Sequence, residues 1–277
     1  MKNKLTQQLQ GFVRTPPLWN NQDVFGLQQF EIPKYFLPED IDLEKALPDL
    51  ATNYVLGKRM EVFFEFILKN TRYIKVLKSN IQIQQDKITL GEIDFLAEDS
   101  LLDQKHHIEL VYKFYLYDPS YENELERWIG PNRKDSLLLK IEKLKQRQFP
   151  ILFKPETKQE LASLDLKAEE LLQSVCFKAS LFIPKGLAYT HSNQLNEKCI
   201  SGYWLHFEEF SSEEFSGYNY YIPDKQDWPV QPEFAEKWFS FTAIKKEILF
   251  QHQKKRSPLV WIKKNSREFE KMFIVWW

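Results

Sequence analysis

Gly91-Glu92-Ile93-Asp94-Phe95-Leu96 and, further along, His107-Ile108-Glu109-Leu110-Val111-Tyr112-Lys113 are the stretches whose reading decides the fold. The first alternates apolar and polar side chains, the period of a half-buried strand. Over 88–97 it predicts Ile93 and Phe95 on one face, Glu92 and Asp94 on the other. The second is rich in β-branched and aromatic residues and predicts a strand over 107–117. Glu98 to Lys105 is polar and fits a connecting turn, so the two strands are expected as antiparallel neighbours. Paired in that way, Asp94 and Glu109 lie side by side, with Cβ atoms roughly 5 Å apart. Two carboxylates so placed on a mostly buried sheet repel one another and are costly to desolvate, and a shared divalent cation resolves both problems.

Upstream, Met60, Phe63, Phe64 and Ile67 fall at i, i+3, i+4 and i+7, an apolar stripe that predicts a helix over 54–70 with Glu61 on its rim. Ile81 to Gln84 alternates and reads as a further strand. Downstream, Gly130-Pro131-Asn132 interrupts the chain. A helix is then expected over 135–148, with Leu137, Leu138, Ile141 and Leu144 on one face and Lys140, Lys143 and Arg147 on a flank. A second helical stretch is read over 155–173. Beyond 174 the pattern is less regular: strands at 179–184, 202–207 and 259–263, a helix over 234–252, and an apolar final strand at 273–277. Residues 1–50 read as an arm of short helices punctuated by Pro16, Pro17, Pro33, Pro38 and Pro48. The expected division is an arm at 1–50, an α/β core at 51–173, and a C-terminal α+β part at 174–277, either packed on the same sheet or forming a separate lobe.

Composition narrows the function classes. A 277-residue chain that is 43% hydrophobic and 28% charged is ordinary for a globular protein with a sizeable core. A net charge of -1 argues against a protein that coats nucleic acid through its overall charge, and leaves room for a local basic groove. Two cysteines, Cys176 and Cys199, are too few for a disulfide framework and form no zinc motif, so both are read as reduced thiols. The polar N-terminus lacks a secretory signal, and no apolar run approaches the ~20 residues of a membrane span. The expectation is therefore a cytoplasmic protein with no membrane partner. No phosphate-binding glycine loop, nucleophile elbow or dinucleotide fingerprint is present.

The two acidic strands and the helix carrying Glu61 resemble the PD-(D/E)XK nuclease superfamily over roughly residues 54–150. More narrowly, the whole chain resembles a bacterial family, domain of unknown function 1853. The strings that carry this are Val13-Arg14 with Pro16-Pro17-Leu18, Leu56-Gly57-Lys58-Arg59 with Glu61, Leu90 to Leu96, Glu109-Leu110-Val111 with Lys113-Phe114-Tyr115, and Trp128 with Gly130-Pro131-Asn132 and Asp135. The resemblance implies a restriction-endonuclease-like α/β core (helix, three-stranded meander, helix, strand) with a C-terminal α+β extension. It implies a metal-dependent nuclease, with Mg²⁺ or Mn²⁺ as cofactor and nucleic acid as partner. In that reading Asp94, Glu109 and the Leu110 carbonyl hold the ion, and Glu61 holds a water beside it or a second ion. Lys113 or Lys140 neutralises the phosphate, and Arg147 and Gln148 touch substrate.

One position departs from the superfamily pattern. Two residues after Glu109, where a lysine is expected, stands Val111. Lys113 lies on the same face about 6.7 Å further along the strand. Lys140, on the following helix, is the other candidate. The departure motivates an alternative: a nuclease fold without chemistry, serving as a binding module for nucleic acid or protein. Asp94 and Glu109 would then be strand-edge carboxylates paired with Lys or Arg. His106-His107 reads as a polar turn, the basic runs as solvated faces, and Trp276 and Trp277 as packing residues. The sequence leaves the oligomeric state open.

Overall fold

The structure, a computed structural model, describes residues 2–20, 23–32, 46–48, 50, 53–188 and 194–277. Pro33 and Pro38 of the expected arm lie outside the described residues. The elements in chain order are α1 (Lys2–Arg14), β1 (Asp23–Val24), β2 (Leu27–Gln28), α2 (Leu56–Lys69), β3 (Ile74–Gln85), β4 (Ile88–Asp99), β5 (Gln104–Tyr117), β6 (Trp128–Ile129), α3 (Leu137–Lys143), α4 (Pro155–Ala162), β7 (Leu171–Pro184), β8 (Ile200–His206), α5 (Ser212–Phe215), β9 (Asn219–Tyr221), β10 (Phe239–Ser240), α6 (Phe241–Gln253), β11 (Leu259–Lys263) and β12 (Phe269–Val275). This is a mixed α/β protein: among the described residues, six α-helices accompany ten strands joined in one mixed sheet. Two compact units divide the chain. No helix among the described residues is long and apolar enough to cross a membrane. Both cysteines are buried free thiols.

The first unit comprises Pro17–Tyr112 and Leu139–Lys178. Its strands run in the order β7-β5-β4-β3. β3 and β4 form a long antiparallel hairpin that turns on Asp86 and Lys87, both at positive φ, the two-residue turn whose twist matches that of paired strands. Asp99 organises the next turn by accepting from the Leu101 and Leu102 N–H groups at 2.8 and 3.1 Å. α2 buries Met60, Phe63, Phe64 and Ile67 completely, the stripe read from the sequence. A second cluster joins Ile81, Ile83, Ile93 and Leu96 to Ile151, Leu152 and Leu161. Gly91 makes that packing feasible, because a Cβ there would come within 2.5 Å of Ile151 Cδ1.

Several expectations need correction. Ile93 and Phe95 do not share a face: Ile93 packs with Ile151, whereas Phe95 meets the Phe64 ring edge-on at 5.1 Å. The neighbouring strand switches in parallel, with Ile81 in the Ile151 cluster and Ser79 Oγ donating to Glu65 of α2 at 2.9 Å. Between these partners Asn80 adopts a left-handed conformation (φ 52°), a kink that a strict two-residue period does not contain. The helix expected over 135–148 is α-helical only to Lys143. It widens to a π-turn at Leu144–Gln148 and tightens to a 3₁₀ turn at Phe149–Phe153. Pro150 lacks an N–H and its ring crowds the preceding turn, which accounts for the change.

The stretch expected as helix over 155–173 ends at Ala162, with Asp165 at φ 54°, and Leu171 already begins β7. His106 and His107 are buried strand residues and form no polar turn. Residues 2–14 form one helix of 13 residues with Leu5, Leu9 and Phe12 buried, where short helices were expected.

The second unit comprises Met1–Pro16, Lys113–Leu138 and Ala179–Trp277. Its strand order is β10-β9-β11-β12-β8-β7-β5, with β6 beside β5. β8 runs parallel to both β7 and β12. Leu205, Phe210, Tyr220, Ile244, Ile248, Ile262, Met272 and Ile274 form its core. The helix expected over 234–252 starts only at Phe241, because Pro232–Phe234 is a 3₁₀ turn and Phe239–Ser240 pairs with β9. The last strand is 269–275, so Trp276 and Trp277 follow it. Trp277 is held by its indole N–H to Pro131 O at 3.0 Å and by the Arg133 guanidinium 4.6 Å from its ring.

Gly202 sits where β8 meets β12, and a Cβ there would stand 2.0 Å from the Lys271 carbonyl oxygen. Backbone cannot yield as a side-chain tip can. Gly202→Ala is expected to lower stability by about 2 kcal/mol or more, read as a shift of the urea midpoint. A midpoint equal to wild type would contradict the close approach.

Candidate functional site

All residues of the carboxylate site belong to the first unit. The β4–β5 register runs from Asp99↔Gln104 to Phe95↔Ile108, and Asp94 and Glu109 are the next residues of the two strands, near enough that the Glu109 charge acts on Asp94. Just past the last paired residues the Leu110 N–H donates to Asp94 Oδ2 at 2.9 Å. Asp94 is half-buried, and Glu109 is fully buried. Burial pushes Asp94 up to about 8, with the facing Glu109 charge adding to it and the Leu110 N–H opposing it. Burial likewise raises Glu109 to about 7, with Lys140 and the Asp94 backbone N–H pulling it back. Without a cation, such a pair holds a proton near neutral pH.

A directed chain of hydrogen bonds converges on Glu109. Gln173 Nε2 donates to Phe149 O at 2.7 Å, which fixes the orientation of its amide because a carbonyl only accepts. The same nitrogen lies 3.1 Å from His107 Nδ1, so it donates there too. His107 must then carry its proton on Nε2, which faces Glu109 Oε1 at 3.0 Å. Burial lowers His107 to about 4, which keeps the ring neutral. From the other side, Lys140 Nζ donates to Gln148 Oε1 at 2.7 Å, and Gln148 Nε2 donates to Glu109 Oε2. Every donor points inward, so Glu109 is held as an acceptor at both oxygens.

The π-turn makes this last link feasible. In a regular helix, eight residues overshoot two full turns by about 80°. The wider turn at Leu144–Gln148 takes up that surplus and brings Gln148 into line with Lys140.

The other predicted residues are placed as follows. Glu61 is bound by Lys58 at 2.7 Å, and its charge reaches Asp94 through space. Among the described residues no three His, Cys, Asp or Glu side chains form a group able to hold a metal, so Glu61 does not complete a triad with the pair. Lys113 is tied to Asp135 at 2.5 Å. Val111 is buried. Arg147 is exposed, and Gln148 is committed to Glu109. His107 and Gln173 enter the site without having been singled out for it; in the sequence Gln173 stood at the end of an expected helix. Lys58 is a further addition, its ammonium raised by Glu61, Glu92 and Asp94 against the cost of burial.

The family model described as Domain of unknown function (DUF1853) matches residues 7–275, and the chain belongs to that family. No curated protein and no solved structure matches it.

The raised carboxylates carry a sign that can be checked. Groups whose folded values lie above their ordinary ones of 3.8 and 4.5 lose their favourable contribution as pH rises through the folded values. His107 acts oppositely, losing stability as pH falls from 6.5 towards 4. From about 6.5 to about 7 the carboxylates dominate, before Lys271, lowered by burial to about 8, adds a slope of opposite sign, and in that window chelator-treated protein is expected to lose stability with rising pH. The slope should be at most about 1.4 kcal/mol per pH unit per proton. Mn²⁺ or Asp94→Asn should flatten it in thermal melts. A slope that persists unchanged in Asp94→Asn would assign it elsewhere.

Proposed function

We propose that this member of the DUF1853 family is a Mg²⁺-dependent phosphodiesterase acting on DNA or RNA, built on a nuclease-like core. The observation that carries the reading is the pair Asp94 and Glu109, the next residues beyond the paired stretch of two adjacent antiparallel strands, each acidic and each raised by burial. The order α2, β3, β4, β5, α3 supports it as well, being the helix, three-strand meander and helix that the PD-(D/E)XK resemblance implies.

The residues present fit a hard divalent ion. Asp94 and Glu109, with the Leu110 carbonyl that the resemblance implies, would form an all-oxygen donor set, and Mg²⁺ is commonly held by one or two carboxylates with water completing its shell. Each Glu109 oxygen accepts one hydrogen bond and keeps a second lone pair. Mn²⁺ suits the same donors. A bound ion would supply an acidified water and would offset charge building on the phosphate.

The protein's own groups do the rest. His107 and Gln148 hold Glu109 in one orientation and in its acceptor state. The Leu110 N–H holds Asp94. Lys140 brings a positive charge to Glu109 through Gln148 and is the stronger candidate for neutralising the phosphate. Lys113, engaged by Asp135, is the weaker one. Arg147, exposed on the same helical segment, is available to a phosphate backbone. Glu61 and Lys58 flank Asp94 and could order a water there.

One observation favours a second reading, a binding module without chemistry. Buried Val111 stands at the expected lysine position, and Lys113 is committed elsewhere. The two part at the metal and the bond. Calorimetry with Mn²⁺ and cleavage assays on single- and double-stranded DNA and RNA are run on wild type, Asp94→Asn, Lys140→Ala and Lys113→Ala. The enzyme reading expects Mn²⁺ binding and cleavage by wild type, both lost in Asp94→Asn. Cleavage should fall by about a hundredfold in Lys140→Ala and stay near wild type in Lys113→Ala. Mn²⁺ binding without cleavage of any substrate would give the second reading. Absence of both would remove the metal site altogether.

A further inference from the structure

The second unit contains a cavity of about 490 Å³ whose wall includes Arg14 from the end of α1, Lys198, and Lys271 from β12. None of these three cations has an ion-pair partner among the described residues. Lys271 is the informative one. Its side chain is half-buried, and desolvation lowers its ammonium to about 8, with only Glu233 opposing this through space. The one acidic residue in the wall, Glu270, is already engaged by Lys264 and by the Tyr203 hydroxyl at 3.2 Å. Arg14 and Lys198 are exposed, so the cost of leaving a positive charge desolvated and unpaired falls on Lys271. A cavity lined in this way suits an anion that supplies the missing partner.

Size and charge narrow the class. The volume falls within the ~300–1,000 Å³ of small-molecule sites and exceeds what an inorganic anion fills. Pro16, Trp228, Pro232 and Phe269 add apolar surface to the wall. Three positive charges match a dianionic phosphate better than a single carboxylate, and Arg14 offers the forked geometry that phosphate oxygens accept. We propose that this cavity binds a small organic phosphate, a phosphate monoester on a body the size of a nucleoside, with Lys271, Lys198 and Arg14 holding the phosphate. The proposal is independent of the carboxylate site.

The test is titration calorimetry and thermal melting of the full chain with adenosine monophosphate, inorganic phosphate and adenosine. Wild type is expected to bind the monophosphate at one site per chain, inorganic phosphate more weakly, and adenosine not at all. Lys271→Met should weaken monophosphate binding at least tenfold while raising the melting temperature of the empty protein, because an unpaired ammonium is replaced by an apolar chain of similar length. A lysine serving only structure would lower that temperature. Lys198→Gln should weaken binding severalfold, and keeps the test alive should Lys271→Met fold poorly. Lys158→Ala, exposed on the other unit, should bind as wild type. Failure of both phosphates to bind, equal binding of adenosine, or wild-type affinity in Lys271→Met and Lys198→Gln would overturn the proposal.

Discussion

Two carboxylates, Asp94 and Glu109, face each other across adjacent strands where water is largely excluded, and much of the first unit is arranged to tolerate them. Each is held by a neighbour: Leu110 donates to Asp94, and His107 and Gln148 donate to Glu109. Further out, Gln173 sets the tautomer of His107 and Lys140 sets the amide of Gln148. A hydrogen-bond chain whose donors all point one way has one sink, and here that sink is a buried carboxylate. Such a group resists protonation through its hydrogen bonds while burial favours it, and a bound cation would end the conflict.

The backbone irregularities of the first unit lie at this same place. Asn80, in the left-handed region, stands beside the point where β3 and β4 switch faces, next to Asp94. The π-turn at Leu144–Gln148 lines up the two side chains that reach Glu109 from the helix. Gly91 lets Ile151 lie against β4, which brings that helical segment down onto the strands. Departures from regular geometry persist when surrounding packing holds them, and they gather where side chains must be aimed.

The second unit presents the opposite electrostatic problem. There the unmatched charge is positive: Lys271, Lys198 and Arg14 line a cavity whose single carboxylate is already neutralised. The first unit has acid in want of a cation, and the second has cations in want of an anion. In both, the fold leaves a charge incompletely paired, and these are the places where the two proposed ligands, a divalent cation and an organic phosphate, would act.

The sequence by itself determined the strands β4 and β5, the helix α2 with its buried stripe, the strand β11, and the antiparallel pairing of β4 with β5 that brings Asp94 and Glu109 to neighbouring positions. These follow from short-range periodicity and from a short connecting turn, both local properties of the chain. It did not determine the face switch at Asn80, the π-turn before Pro150, or the start of β7 at Leu171. Those depend on what packs against each segment. Nor could it assign His107 and Gln173 to the site, because a histidine becomes a positioning group only when a glutamine 66 residues away fixes its tautomer. Tertiary structure alone decided which lysine stands by Glu109: Lys140 arrives through Gln148, while Lys113 is drawn to Asp135. A charged side chain goes to the partner that folding brings within reach, and proximity of that kind is not written in residue spacing.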